Sequence, residues 1–138
     1  MSSQYPSPPQ GQPDPAADIQ QNKVMAVLAY IGLLVLIPLI AAKDSKFARY
    51  HANQGLVLLV AEIAYGVIYG IVIGIASAGA VAAASAGSAA GLAGAGIVSL
   101  LLGLIGIVFL VFAIIGIVNA AKGEFKPLPL IGKITFLK

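Results

Sequence analysis

There is no cysteine in these 138 residues, no tryptophan, and only one histidine. Without cysteine the chain forms no disulfide and offers no thiolate for redox chemistry or metal binding. A single imidazole with no second His or Cys is a poor basis for a metal centre. Charge is scarce as well: 9% of the residues are charged, against 59% hydrophobic. An ordinary soluble domain carries roughly 25% charged residues. So little polarity cannot cover a water-facing surface, and the chain reads as an all-α integral membrane protein before any motif is considered. The net charge of +3 is not a nucleic-acid footprint, because the cations sit at the ends of apolar runs, where they act as interface anchors and topology signals. The expected partner is the lipid bilayer, with no nucleic acid.

Catalytic signatures are missing too. There is no P-loop, no G-x-S-x-G and no H-E-x-x-H. The acids are Asp14, Asp18, Asp44, Glu62 and Glu124, and no two have a catalytic spacing. Neither an enzyme nor a cofactor site is expected.

What is present falls into segments. Residues 1–21, "MSSQYPSPPQGQPDPAADIQQ", are rich in Pro, Gln and Ser. They lack the basic and apolar regions of a signal peptide. Too polar to bury much surface, they are expected to form a disordered tail, with "PSPP" at most a polyproline-type ligand. Residues 22–138 form a helical membrane domain. Between Lys23 and Lys43 lie nineteen uncharged residues, close to the roughly 20 that cross a bilayer core. This predicts a first span at about 23–42, kinked by Pro38. A second span is expected at about 54–76 and a third, with no charge at all, at about 97–121. The Ala/Gly/Ser-rich segment 77–96 inserts weakly and reads as a flexible connector with helical extensions, the alternative being a fourth span.

Charge placement favours three spans. The loop carries Lys43, Lys46 and Arg49, and the tail 122–138 carries Lys122, Lys126, Lys133 and Lys138. Three spans put both groups on one side, which the positive-inside rule assigns to the cytoplasm. The protein is then expected in the cytoplasmic membrane, with its N-terminus outside and its C-terminus inside. Lys43, Lys46 and Arg49 are candidates for contact with anionic lipid or a partner, or serve as plain anchors.

Helices in lipid associate through close packing and hydrogen bonds. In span two, Gly66, Gly70 and Gly74 recur every fourth residue in "GVIYGIVIG"; in span three, Gly103 and Gly106 belong to a second small-residue stripe. Both are expected to serve helix packing, either between spans two and three or in a homo-oligomer or a contact with another membrane protein. Glu62 is the most unusual residue. It lies eleven residues after His51, about 16 Å along a helix, so an interfacial His51 puts Glu62 near mid-membrane. A charge there costs about 2.5–3.5 kcal/mol, and such acids are functional candidates by default. The readings are a neutral, hydrogen-bonded packing residue, a proton- or ion-coupling site, or a polar lining for a conduit. His51, Asn53 and Gln54 cluster at the start of span two and, with Asp44 and Ser45, read as an interfacial polar cap. Asn119 and Gly123 should end span three, and Pro127 and Pro129 should stop its resumption. The final segment is expected to lie on the cytoplasmic leaflet.

Two blocks stand out together. They are "KDSKFARYHANQGL", with Phe47, Arg49, His51, Ala52, Gln54 and Leu56, and "IIGIVNAAKGEFKPLPLI", with Asn119, Ala120, Gly123, Glu124 and Pro129. The pairing resembles a family of small bacterial membrane proteins of unknown function, grouped with the chloroplast inner-envelope protein-import component. The resemblance implies a compact helical membrane domain and, by analogy, a non-enzymatic role assisting transport or protein translocation. A glycine-lined oligomeric pore, a stress-related membrane modulator and a structural accessory subunit are the alternatives.

Overall fold

The computed structural model describes residues 14–137. Among these residues every regular element is helical. The elements are α1 (Pro15–Leu28), a 3-10 turn (Gly32–Val35), α2 (Leu36–Ala41), α3 (Lys46–Ser85) and α4 (Ala90–Ala121). The chain divides into two compact units: residues 14–59 with 112–137, and Val60–Val111.

Two helices, α3 and α4, are long and apolar enough to cross a membrane. At 40 and 32 residues they run about 60 and 48 Å, well beyond a 30 Å hydrocarbon core. Only 11% of the most apolar stretch of either helix is buried, unlike the core helix of a soluble domain. The expected connector 77–96 is mostly absorbed into these helices, leaving residues 86–89 as the link. Alanine is the best helix former, and an Ala-rich segment continues the helix until a glycine stops it. Gly87, at φ +81°, ends α3: Ser88 N–H donates to Ala83 O at 2.9 Å and Gly87 N–H to Ala84 O at 3.0 Å. Gly123, at φ +74°, ends α4 in the same way, with Glu124 N–H on Asn119 O and Gly123 N–H on Ala120 O. Gly123 thus closes the helix as expected, while Asn119 stays inside its last turn.

The expected first span, 23–42, is not one helix. It is split between the end of α1, a bend and α2, and the two helices pack on each other. The three-span count is therefore not confirmed. Gly32 adopts φ +51°, which a side chain rarely tolerates, and α1 stops at Leu28. Pro38 does not kink a long helix; it sits buried in the first turn of α2, where its missing N–H has no intrahelical acceptor to lose. Residues 15–21, expected to be disordered, form the first half of α1. The Asp14 carboxylate accepts from Ala16 N–H at 3.2 Å and Pro15 opens the helix, a favourable N-terminal pair. The "PSPP" motif lies outside the described residues.

In the unit 14–59 with 112–137, α1 lies beside the first turns of α3 and the last turns of α4. Asp18 Oδ2 accepts from Phe47 N–H at 3.1 Å at the start of α3. A side chain at Gly55 would strike the Ala29 carbonyl, and one at Gly116 would strike the Tyr30 ring. In the unit Val60–Val111, Tyr65 O–H donates to Leu102 O, and the Tyr65 ring lies 5.2 Å from Phe109.

Candidate functional site

The polar residues of the loop block come together with the tail. Ser45 begins the arrangement by capping α3: its Oγ accepts from Ala48 N–H at 3.0 Å. With Asp18 on Phe47 N–H, two of the orphan donors at this helix start are satisfied. The expected cap is therefore Ser45, helped by Asp18 from α1; Asp44 stays exposed.

His51, Asn53 and Gln54 do not cap the helix. They lie in its second and third turns, all buried, and reach other segments. His51 Nε2 donates to the Glu124 carbonyl at 2.9 Å, since a carbonyl only accepts. In a neutral imidazole Nδ1 is then the acceptor, and it accepts a hydrogen bond from Tyr30 O–H at 2.7 Å. Burial, and secondarily Tyr50, pushes the Tyr30 phenol up, so it remains a donor. The fully buried imidazole is packed edge-on against Phe47, Tyr50 and Tyr30, at centroid distances of 4.7, 5.2 and 5.6 Å. Phe125 closes on Phe47 and Tyr50, 5.2 Å from each.

Gln54 and Asn53 clamp the tail. Gln54 Nε2 donates to Gly132 O at 3.0 Å and its Oε1 accepts from Leu128 N–H at 3.0 Å. Asn53 Nδ2 donates to Ile134 O at 3.1 Å, while its Oδ1 accepts from Phe136 and Leu137 N–H at 2.7 and 2.9 Å. With Pro127 and Pro129 the tail forms no helix, so its backbone groups need outside partners. Side-chain amides, each with donor and acceptor, supply them. The loop block thus meets the second block at Glu124, Phe125 and Leu128, and the segment beyond it at Gly132, Ile134, Phe136 and Leu137.

The other candidates are placed differently. Lys43 and Lys46 are exposed, and Arg49 is half-buried, its Nη1 3.5 Å from Lys43 O. Lys46 and Arg49 line a cleft of about 300 Å³ with Tyr50, Asn53 and Thr135. Glu62 is half-buried on α3 in the other unit. Gly66, Gly70, Gly74 and Gly103 have open space where a Cβ would stand, so these glycines do not pack α3 on α4. Gly106 does lie against the Tyr65 ring. The pairing of the two helices in that unit rests on Tyr65, Phe109 and the approach of Gly91 to Ala80 and Ala83. Asp18, Tyr30, Gly55 and Gly116 are structural residues that sequence reading passed over. No group of three His, Cys, Asp or Glu side chains comes together among the described residues.

These features define a small all-helical protein with two membrane-length helices and a latched unit where its loop and tail meet. Residues 21–137 match the magnetosome magnetite crystal formation protein family, and the chain belongs to that family. It is 42% identical over 38 residues to the magnetosome proteins MamF and MmsF of Paramagnetospirillum magneticum, covering 28% of this chain and 34% and 36% of those proteins. It is 40% identical over 38 residues to MamF of Magnetospirillum gryphiswaldense, covering 28% of this chain and 34% of that protein. The alignments span about a third of the length of these curated relatives. No solved structure matches. The expected affiliation with the chloroplast import component family is overturned by the family match, and the transport or translocation role expected from it is not shown.

Proposed function

We propose that this chain is a non-enzymatic, two-pass membrane protein that serves as a structural component of a membrane at which magnetite crystals form. The family match supports the setting. The structural role rests on one observation: the polar side chains of the latch are occupied by the protein's own groups, the Tyr30 hydroxyl and the backbone of the tail. Both His51 nitrogens, both ends of Asn53 and both ends of Gln54 are engaged within the chain. Such a site rigidifies a fold; it does not present groups to a substrate.

In this reading the loop cations, the tail cations and the start of α1 share one membrane face. The positive-inside rule makes that face cytoplasmic, with the described N-terminal residues on it and not outside. Single cysteines at Asp14, Asp44, Ser88 and Thr135, all exposed, test this with a membrane-impermeant thiol reagent on intact and lysed cells. Positions 14, 44 and 135 should react together and position 88 from the opposite side. Labelling of 14 and 44 from opposite sides would restore three spans. For function, the chain is expressed in a magnetite-forming bacterium from which the members of this family are deleted, and magnetite crystals are counted and measured by electron microscopy. Crystal formation closer to that of the parent is expected; crystals indistinguishable from those of the deletion strain would overturn the assignment.

A conduit would have to use Glu62, the half-buried acid on α3. Glu62→Gln in proteoliposomes is expected to leave proton flux unchanged, and a loss of flux would replace the structural reading with a transport one.

A further inference from the structure

The run 24–42 enters a bilayer and returns without crossing it: we propose that this helical hairpin is a one-leaflet wedge that curves the membrane. The inference rests on the membrane-spanning reading of α3 and α4 above. Asp18, near the start of α1, bonds to Phe47 at the start of α3, and with Asn22 it lines one cleft together with Ala42 and Ser45, just past α2. The two ends of the hairpin therefore lie side by side. Its apex, at Ala29 and Tyr30, is fixed farther along α3, against Gly55 and His51.

Depth follows from helix geometry. From Lys23 to Tyr30 the rise is about 10 Å, and the return through the 3-10 turn and α2 is about 17 Å. One leaflet of a 30 Å core is about 15 Å. The hairpin matches a leaflet and falls short of a bilayer.

Its outer surface is apolar and uncovered. Val24 is 69% exposed, Leu33 68%, Ile40 77% and Leu36 47%. The occupant of this face is lipid acyl chains, for three reasons. The face belongs to the same compact unit as the apolar segments 56–59 of α3 and 112–121 of α4. The run is bounded at both ends by a cation, Lys23 and Lys43, where headgroups would lie. And its length is that of one leaflet. Apolar volume added to one leaflet alone expands that leaflet relative to the other, as with interfacial helices, so the membrane bends with the Lys23–Lys43 side convex.

The test uses the full chain, reconstituted into vesicles of phosphatidylcholine with a minority of phosphatidylglycerol and imaged by electron cryo-microscopy. Increasing protein should reduce the mean vesicle diameter about twofold or draw out tubules. The double variant Leu36→Ser with Ile40→Ser, both exposed and outside the core, should stay inserted through α3 and α4 yet lose this effect. Wild-type vesicles as large as protein-free ones would overturn the wedge. A nitroxide on Leu33→Cys gives depth. Oxygen access without access to a water-soluble relaxant supports burial in lipid. Access to the aqueous relaxant, or shielding from both by a second copy, overturns it. A nitroxide on Ile105→Cys in α4 separates the two readings: aqueous access there would sink the membrane-spanning reading itself, whereas lipid access there with an aqueous Leu33 would sink only the wedge.

Discussion

The two compact units use the same amino acids to different ends. In the unit 14–59 with 112–137, the buried side chains of Ser45, His51, Asn53 and Gln54 each find a partner, and Gly55 and Gly116 let backbone and ring approach. In Val60–Val111 most side chains are exposed and apolar, and three glycines at four-residue spacing face open space. Cohesion in the first unit comes from specific hydrogen bonds that a single substitution can break. In the second it comes from the continuity of two long helices and a few ring and backbone contacts. Substitutions should therefore be costly in the first unit and mild in the second, even where the residue type is the same.

The largest effect is expected at Gly55. Any Cβ there meets the Ala29 carbonyl, which is backbone and cannot move away without displacing α1. Overpacking of this kind typically costs about 1–3 kcal/mol and sometimes more. Gly55→Val should sit at the upper end, because it forces two helices apart instead of shifting one side chain. Thermal unfolding in mild detergent checks it; a midpoint unchanged from wild type would mean that α1 does not pack on α3 as described.

His51→Ala comes next. It removes the shared partner of Tyr30 O–H and the Glu124 carbonyl and leaves a void among three aromatic rings. Each buried group left without a partner costs about 1–3 kcal/mol. A destabilisation of about 3 kcal/mol is expected, together with release of the hairpin apex, read as faster hydrogen exchange at residues 29–32. Loss of stability without that local release would separate His51 from the bend.

These two positions also show what was legible in the sequence. The long helices, the glycine stop at residue 123 and the importance of the 43–56 and 114–131 blocks could be read from composition and spacing. The bend at residues 29–32 could not. Nineteen uncharged residues satisfy the length of a span, and length does not distinguish a straight helix from one folded back. The bend depends on Tyr30 meeting a histidine twenty-one residues later and on a left-handed Gly32, neither of which has a local signature. The role of Asn53 and Gln54 was half legible. Polar side chains amid apolar sequence need partners, and a proline-interrupted tail has backbone groups that need them too. Joining the two observations would have found the latch. Glycine spacing could not choose between packing within the chain and packing on another helix, because a four-residue repeat looks the same in both; within the chain, the Gly66, Gly70 and Gly74 face is open.

A smaller and more local effect is expected at Asn53. Asn53→Ala removes one bond to Ile134 and two from Phe136 and Leu137, all at the end of the chain. At about 1 kcal/mol net for a typical hydrogen bond, the end of the tail should detach while the rest holds. Limited trypsinolysis should then cut after Lys133 several-fold faster than in wild type, with the melting midpoint lowered by only a few degrees. Global unfolding instead of local clipping would mean that the tail is integral to the unit.

The smallest effect is expected at Gly70, and it bears most directly on the contrast between the units. Nothing stands within 4 Å of where its Cβ would be, and its φ is ordinary for a helix. Gly70→Ala therefore removes only the flexibility of glycine. In a helix interior that substitution is worth up to about 1 kcal/mol in favour of alanine. The melting midpoint should stay level or rise slightly. Gly55→Ala, the same chemical change fifteen residues earlier on the same helix, should lower it. A fall at Gly70 comparable to that at Gly55 would show that the open stripe is covered in the membrane by another helix, and the difference between the two units would then belong to the isolated chain alone.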